Sequence, residues 1–312
     1  MGLIKIAYLI SAYKDPCQLN RMINALYQGN STFFFIHIDA KCNQHEFEKA
    51  ISPQFSKNII FTKNRYWVQW GGFNQVRYQQ ELLKTCIQSN IEFDRVFILT
   101  GQDYPLISNQ EINQELRNHP LNEYIIGLDI SKVTYPSKIR TRFTIYHYFR
   151  DMKHCPYKIK KIFSGASRKL MTILPIRKKN YILINNQRWH IYLSSSYMCI
   201  SFKLSKYIYN ELSSNAKLIS YFKYSFVPEE MVIPTIVFNS SFKNNCILYN
   251  QNTYNGLKNL SAITYFNYGK EIQTFTLDNY EELKNSGKMF ARKFTTGISD
   301  RLMDKLDKEH GI

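Results

Sequence analysis

The chain has 312 residues, 44% hydrophobic and 15% aromatic, enough apolar material for a large core and too much for wholesale disorder. Lys and Arg exceed Asp and Glu by 41 to 24, so the formal charge is +17 and the pI about 9.5. Such a surplus is met on generic basic surfaces, and it also attracts anions: a phosphorylated substrate, an anionic membrane surface or nucleic acid.

Leu3–Tyr13 is a short apolar run that reads as a buried strand. Lys5 sits inside it, unlike the apolar core of a signal peptide, and no run reaches the roughly 18 apolar residues of a spanning helix. Asp15-Pro16 is a helix start, with Asp as cap and Pro at the first helical position, and Leu19, Met22, Ile23 and Leu26 follow at helical spacing. Thr32–Ile38 and Asn58–Thr62 are further strands, Phe73–Ile87 an amphipathic helix, and Arg95–Leu99 another buried strand. This alternation predicts an α/β layer with a mainly parallel sheet. Ligands bind beyond the carboxyl ends of such strands, where the polar stretches His37–Lys41 and Gly101–Pro105 fall.

From about Ser137 the texture changes. Arg150 to Lys179 is dense in Lys and Arg, with Asp151 the only acid and apolar residues interleaved. Two readings stand side by side: a basic amphipathic segment lying on an anionic membrane, or a surface helix with its apolar face turned into the core. An apolar segment over Tyr192–Phe202, a helix over Leu204–Leu212 and the acidic turn Pro228-Glu229-Glu230 follow, and Leu283–Leu306 reads as helical pieces. Cys17, Cys42, Cys86, Cys155, Cys199 and Cys246 are widely spaced without a Cys-x-x-Cys pair, so the expectation is reduced thiols in a cytoplasmic protein rather than a zinc site, with secretion left open as the alternative by their even number.

The sequence has no phosphate-binding P-loop, no Gly-x-Gly-x-x-Gly after the first strand, no His-Glu-x-x-His and no Gly-x-Ser-x-Gly. It also has no Asp-x-Asp, the pair with which many sugar-nucleotide enzymes hold a divalent cation. Cations in Phe290-Ala291-Arg292-Lys293-Phe294 suit phosphate oxygens, although adjacent cations near a helix are more often simply solvated. Glu229 and Glu230 are either a general base or acids favoured at a helix start. Asp39 and Asp103 suit a ribose or a tight turn, and Trp70, before Gly71-Gly72, suits sugar stacking or packing.

In order, AYLISAYKDP, FIHIDAK, WGGFNQVRY, LTGQDYPL, a Ser/Tyr-rich strand, VPEEMVIPT and LKNSGKMFARKF occur between about Ile4 and Phe294. This set resembles the core-2/I-branching β-1,6-N-acetylglucosaminyltransferases, glycosyltransferase family 14, which also contains peptide O-xylosyltransferases; the compact form is similar to the bacterial branch. The resemblance implies one domain over 1–312 with a GT-A-like α/β fold, a nucleotide-sugar half at about 1–135 and an acceptor and catalytic half at about 136–312. It further implies inversion at the anomeric carbon, a UDP-sugar donor, a saccharide acceptor, and no metal or other cofactor. Residue by residue, it puts the base on Glu230, phosphate binding on Lys293 with Arg292, nucleotide binding on Asp39, and substrate contacts on Trp70, Asp103, Tyr197 and Glu229.

The chain departs from the family's pattern at Ala12-Tyr13, where Ala-His is usual. It departs again at Ser194-Ser195-Ser196-Tyr197-Met198, where Gly-Ser-Gln-Trp-Trp is usual, and at Ala262-Ile263-Thr264-Tyr265, which lacks an Arg that Lys258, Lys270 or Arg292 would have to replace. The expected activity is transfer of a sugar, first of all N-acetylglucosamine, in surface polysaccharide or glycan synthesis. UDP-xylose and UDP-galactose are alternative donors, and a non-catalytic glycan-binding relative or a basic nucleic-acid binder are alternative classes. No known nucleic-acid module is present, so nucleic acid is not the expected partner. A lipid-linked acceptor at the inner membrane face would match docking through 150–179.

Overall fold

Runs such as Ile6–Ala12 and Thr32–Ile38 show no polar alternation, because both faces of their sheet are covered. The structure, a computed structural model, describes residues 4–269 and 271–312. Leu3, the expected start of the first strand, and Lys270 lie outside the described residues. The first part of the chain runs β1 (Ile6–Ala12), α1 (Pro16–Leu26), β2 (Thr32–Ile38), α2 (Gln44–Ala50), β3 (Ile59–Phe61), α3 (Asn74–Ile87) and β4 (Arg95–Thr100). Next come β5 (Asp103–Pro105), α4 (Asn109–Asn118), β6 (Ile126–Asp129), α5 (Ser137–Thr144) and α6 (Tyr157–Ile173). The hairpin β7 (Tyr181–Ile184) and β8 (Gln187–His190) leads to β9 (Tyr192–Leu193), β10 (Met198–Ser201), α7 (Phe202–Ser214), α8 (Ala216–Phe222) and α9 (Val232–Phe238). The tail holds β11 (Ile247–Leu248), β12 (Thr264–Tyr265), α10 (Tyr280–Lys284), β13 (Phe290–Arg292) and α11 (Asp300–His310).

The central sheet has the order β10-β4-β1-β2-β3, parallel except for β10. This is the expected α/β architecture, a mainly parallel sheet flanked by helices. The chain winds from β1 to β2 and β3 on one side and returns to β4 on the other, so the switch point lies between β1 and β4.

Strand alternation divides the core. Ile6, Tyr8 and Ile10 pack with Leu19 and Met22 of α1 and Leu302, Met303 and Leu306 of α11. Ala7 and Leu9 face the opposite cluster with Val76 and Leu83 of α3, Leu204 of α7 and Ile233 of α9. The tail therefore returns to the first half, where Arg21 donates to Asp304 at 2.6 Å and to Asp307 at 2.7 Å.

Two expected elements differ. Tyr192–Phe202 is broken into β9 and β10 by Ser194–Tyr197, whose backbone turns to other partners: the Ser194 N–H donates to the Glu230 carbonyl at 2.9 Å. Within Leu283–Leu306, Phe290–Arg292 is a strand rather than a helical piece, pairing with β5 on one side and β12 on the other. Tertiary pairing decides a segment this short.

Candidate active site

A cleft of about 390 Å3 opens over the carboxyl ends of β1, β2 and β4. Ser11, Ala12 and Tyr13 end β1, Asp39 follows β2, and Leu99 and Thr100 end β4. The backbone N–H of Asp39 donates to the Ala12 carbonyl at 2.9 Å, and that of Gly101 to the Ser11 carbonyl at 2.9 Å, so these ends are held as one floor. Because β10 runs antiparallel, the residues before it arrive at the same end of the sheet, and Ser196 and Tyr197 complete the wall.

Asp39 is buried in the cleft wall, with its carboxylate partly engaged by its own loop. It accepts from the Lys41 N–H at 3.0 Å and the Val68 N–H at 3.4 Å, and the Lys41 ammonium lies 3.3 Å away. His37 beside it is neutral, since its Nε2 accepts from the Tyr66 N–H at 3.0 Å and burial lowers its pKa to about 4. Trp70 stands on the rim, 66% exposed, edge-on to Phe226. The following Gly71 has φ 74°, and a Cβ there would lie 2.2 Å from the Phe226 ring, so only glycine brings the indole to this rim.

Because Phe290–Arg292 is a strand, alternate side chains take opposite faces. Arg292 enters the cleft and Lys293 is not among its lining residues. Arg292 donates to the Thr100 hydroxyl, lies 3.6 Å from Asp103 and stacks over Tyr197 at 5.5 Å, while its Nε has no hydrogen-bond partner. Asp103 is fully buried and does not line the cleft. Its carboxylate accepts from the Thr100 N–H at 2.8 Å, and burial raises its pKa to about 6 against the pull of Arg292. It therefore meets a ligand only through Arg292. Lys293 is partly exposed, and burial lowers its pKa, with Lys14 and Arg292 adding like-charge repulsion. A cationic group thus gathers where Lys14, in the loop after β1, comes near the end of β13. Tyr265, in the stretch where the family's Arg is missing, bonds instead to Glu282 at 2.6 Å, and Lys258 lines a neighbouring hollow rather than this cleft.

Glu229 and Glu230 both line the cleft from a single 3-10 turn, Pro228–Glu230. Val227 before them has φ 55°, a left-handed backbone that costs on the order of 1 kcal/mol or more for a β-branched residue. Its N–H donates to the Gly71 carbonyl at 3.3 Å, which ties the acidic turn to the Trp70 loop. Burial raises Glu230 to about 7, opposed by Arg142 at 3.3 Å. Glu229 is pushed well above the usual carboxylate range, by burial and then by Glu230, and its Oε2 has no hydrogen-bond partner. Two adjacent buried carboxyls beside one arginine favour a state with one proton between them, a neutral donor next to a carboxylate base. Among the described residues no three His, Cys, Asp or Glu side chains are grouped to hold a metal ion.

The structure thus brings Asp39, Trp70, Tyr197, Glu229, Glu230 and Arg292 to one cleft and leaves Asp103 and Lys293 out of its lining. Arg142, Tyr78 and Lys14 belong to the site region and escaped the sequence reading. Arg142 lies in a basic stretch with nothing to distinguish it, and its partner is 88 residues away.

The sequence model of the Core-2/I-Branching enzyme family matches residues 6–256. The chain is 22% identical to mouse beta-1,3-galactosyl-O-glycosyl-glycoprotein beta-1,6-N-acetylglucosaminyltransferase 4, over 97% of this chain and 66% of the relative. It is 21% identical to rat xylosyltransferase 2, over 98% of this chain and 33% of that protein. The chain therefore spans less than two thirds of the length of these curated relatives. The crystal structure of mouse xyloside xylosyltransferase 1, apo form, aligns over 92% of this chain and 96% of its own, at 10% identity and a TM-score of 0.37, too loosely to carry an argument.

Proposed function

The chain belongs to the core-2/I-branching enzyme family, and from that premise we propose that it is an inverting glycosyltransferase, moving a sugar from a UDP donor to a saccharide hydroxyl without a metal ion. N-acetylglucosamine is the first candidate sugar, after the mouse relative's name, and xylose the second, after the rat relative's. Glycan or surface polysaccharide assembly is the proposed setting, in the reducing cytoplasm, a reading supported by the six unpaired cysteines.

The observation that carries the reading is the pairing, in one cleft at the switch point, of a buried two-carboxyl turn with a half-buried arginine. Glu230 takes the proton of the acceptor hydroxyl as its oxygen attacks the anomeric carbon. The bond from that carbon to the diphosphate oxygen breaks on the opposite face, which inverts the centre. Arg292, held by Thr100 and Asp103, meets the charge developing on the diphosphate, with Lys293 adding to the field. Asp39 holds the nucleoside, Trp70 and Tyr197 bound the sugar and acceptor, and the free oxygen of Glu229 awaits a hydroxyl.

The test is thermal stability in EDTA with UDP, GDP or CMP. A dose-dependent rise with UDP alone, of about 2.7 kcal/mol at a hundredfold excess over Kd, supports a metal-independent uridine diphosphate site. No shift with any nucleotide sinks the reading. Turnover with UDP-N-acetylglucosamine against UDP-xylose then decides the donor.

A further inference from the structure

Helix α6 has its amphipathic pattern turned outward. Ile159, Ile162, Phe163, Ala166, Leu170 and Ile173 recur at i, i+3, i+4, i+7, i+11 and i+14, one stripe about 100° wide. All six are exposed, Ile162 to 69% and Ile173 to 81%. The half-buried face toward the body is instead Lys160, Ser164, Ser167, Met171 and Leu174. A surface helix ordinarily buries its apolar stripe, so this one needs another partner.

Charge chooses that partner. Residues 150–179 hold ten Lys and Arg against one acid, a net +9 of the chain's +17. Exposed Lys158, Lys161, Arg168 and Lys169 follow the stripe along its free side. A second copy docked stripe to stripe would bring these like charges together. Nucleic acid would satisfy the cations and leave the isoleucines in water. An anionic bilayer satisfies both, apolar side chains at the acyl boundary and cations among the headgroups.

The segment is also held in place for that task. At one end the Asp151 carboxylate accepts from the Phe73 N–H at 2.7 Å, and Arg150 stacks over Phe226 at 4.3 Å beside the Trp70 rim. At the other end Lys178 is buried, its ammonium donating to the Tyr221 carbonyl at 2.6 Å and to the Ser225 hydroxyl. Phe149 extends the apolar stripe toward the cleft, its ring 5.9 Å from that of Phe163.

We propose that α6 and its basic flank dock the protein peripherally on an anionic lipid surface, with the isoleucine stripe inserted and the cleft rim held beside the headgroups. No described helix is long and apolar enough to cross a membrane, so this contact lies in the interface.

The test is co-sedimentation of the full chain with vesicles of phosphatidylglycerol and phosphatidylcholine in equal parts, against phosphatidylcholine alone. The expected result is about tenfold or greater preference for the anionic vesicles, with release as salt shortens the screening length. The double variants Ile162→Ser with Ile173→Ser, and Lys158→Gln with Lys169→Gln, each weaken binding about tenfold. Because these side chains are exposed, the melting temperature and the UDP-induced stabilisation stay as in the wild type, which separates this result from any failure of the transferase reading. No binding to anionic vesicles overturns the proposal, as does binding indifferent to lipid charge. Binding unaffected by the isoleucine substitutions would reduce it to plain polyanion attraction, and a dimer dissolved by those substitutions would give the stripe to a second copy; either result overturns it.

Discussion

Replacing Glu230 with Gln tests stability and chemistry at once. Burial holds this carboxyl at about 7 against an ordinary 4.5, with Arg142 only partly offsetting the effect. That gap corresponds to on the order of 3 kcal/mol between the protonated and ionised forms. Because the folded-state value is raised, the native chain keeps a proton that the unfolded chain has released over this interval. The contribution to stability is full below about 4.5 and is lost as pH rises toward about 7. Glutamine has no charge to bury. Glu230→Gln should therefore match the wild type near pH 4 and exceed it by about 1–3 kcal/mol at pH 8, less than the whole gap because Arg142 loses its partner. Thermal melts of both proteins across that range read this as a difference of several degrees that opens with pH. In parallel, transfer should fall by about 10²–10⁴ while the UDP-induced shift survives. A stability difference that does not change with pH would refute the electrostatic argument, and full retained turnover would refute the base assignment.

Other substitutions separate the neighbouring roles. Arg142→Ala removes the attraction that holds Glu230 down, so the acid limb of the pH–rate profile should move to higher pH; an unmoved profile would deny the coupling. Gly71→Ala forces a Cβ to 2.2 Å from Phe226 at a φ of 74°, and should cost about 1–3 kcal/mol in a denaturant melt; a wild-type midpoint would contradict the packing. Trp70→Ala should raise the acceptor KM while stability stays within about 0.5 kcal/mol, because the ring is exposed; an unchanged KM would leave the indole without a role in binding.

The core of the fold was legible because burial on both faces writes itself into continuous apolar runs. The strands over 6–12, 32–38 and 95–100 were visible this way, and Asp15 caps α1 as its Asp-Pro pair suggested, accepting from the Gln18 N–H at 3.1 Å. The site was legible in its residues and not in its geometry. Arg292 and Lys293 look equivalent as neighbours in sequence, and only the pairing of Phe290–Arg292 with β5 and β12 brings the first into the cleft while the second, just past the strand, stays out of its lining. Arg142 and Glu230 are joined by folding alone.

Helix α6 marks the limit most clearly. The spacing of its isoleucines defines a stripe, but a hydrophobic period carries no sign: the same pattern describes a helix turned into the core and one turned away from it. The choice lies in what the rest of the chain leaves room for. Here the body already has its cover, with α3, α7 and α9 filling that side of the central sheet. The hairpin β7–β8 adds Ile182, Ile184 and Trp189 to the same cluster. Among the described side chains, this helix and its C-cap turn halfway toward the finished core only serines, a lysine, Met171 and Leu174. Its main stripe is left for a surface outside the molecule, and its lysines give that surface a charge.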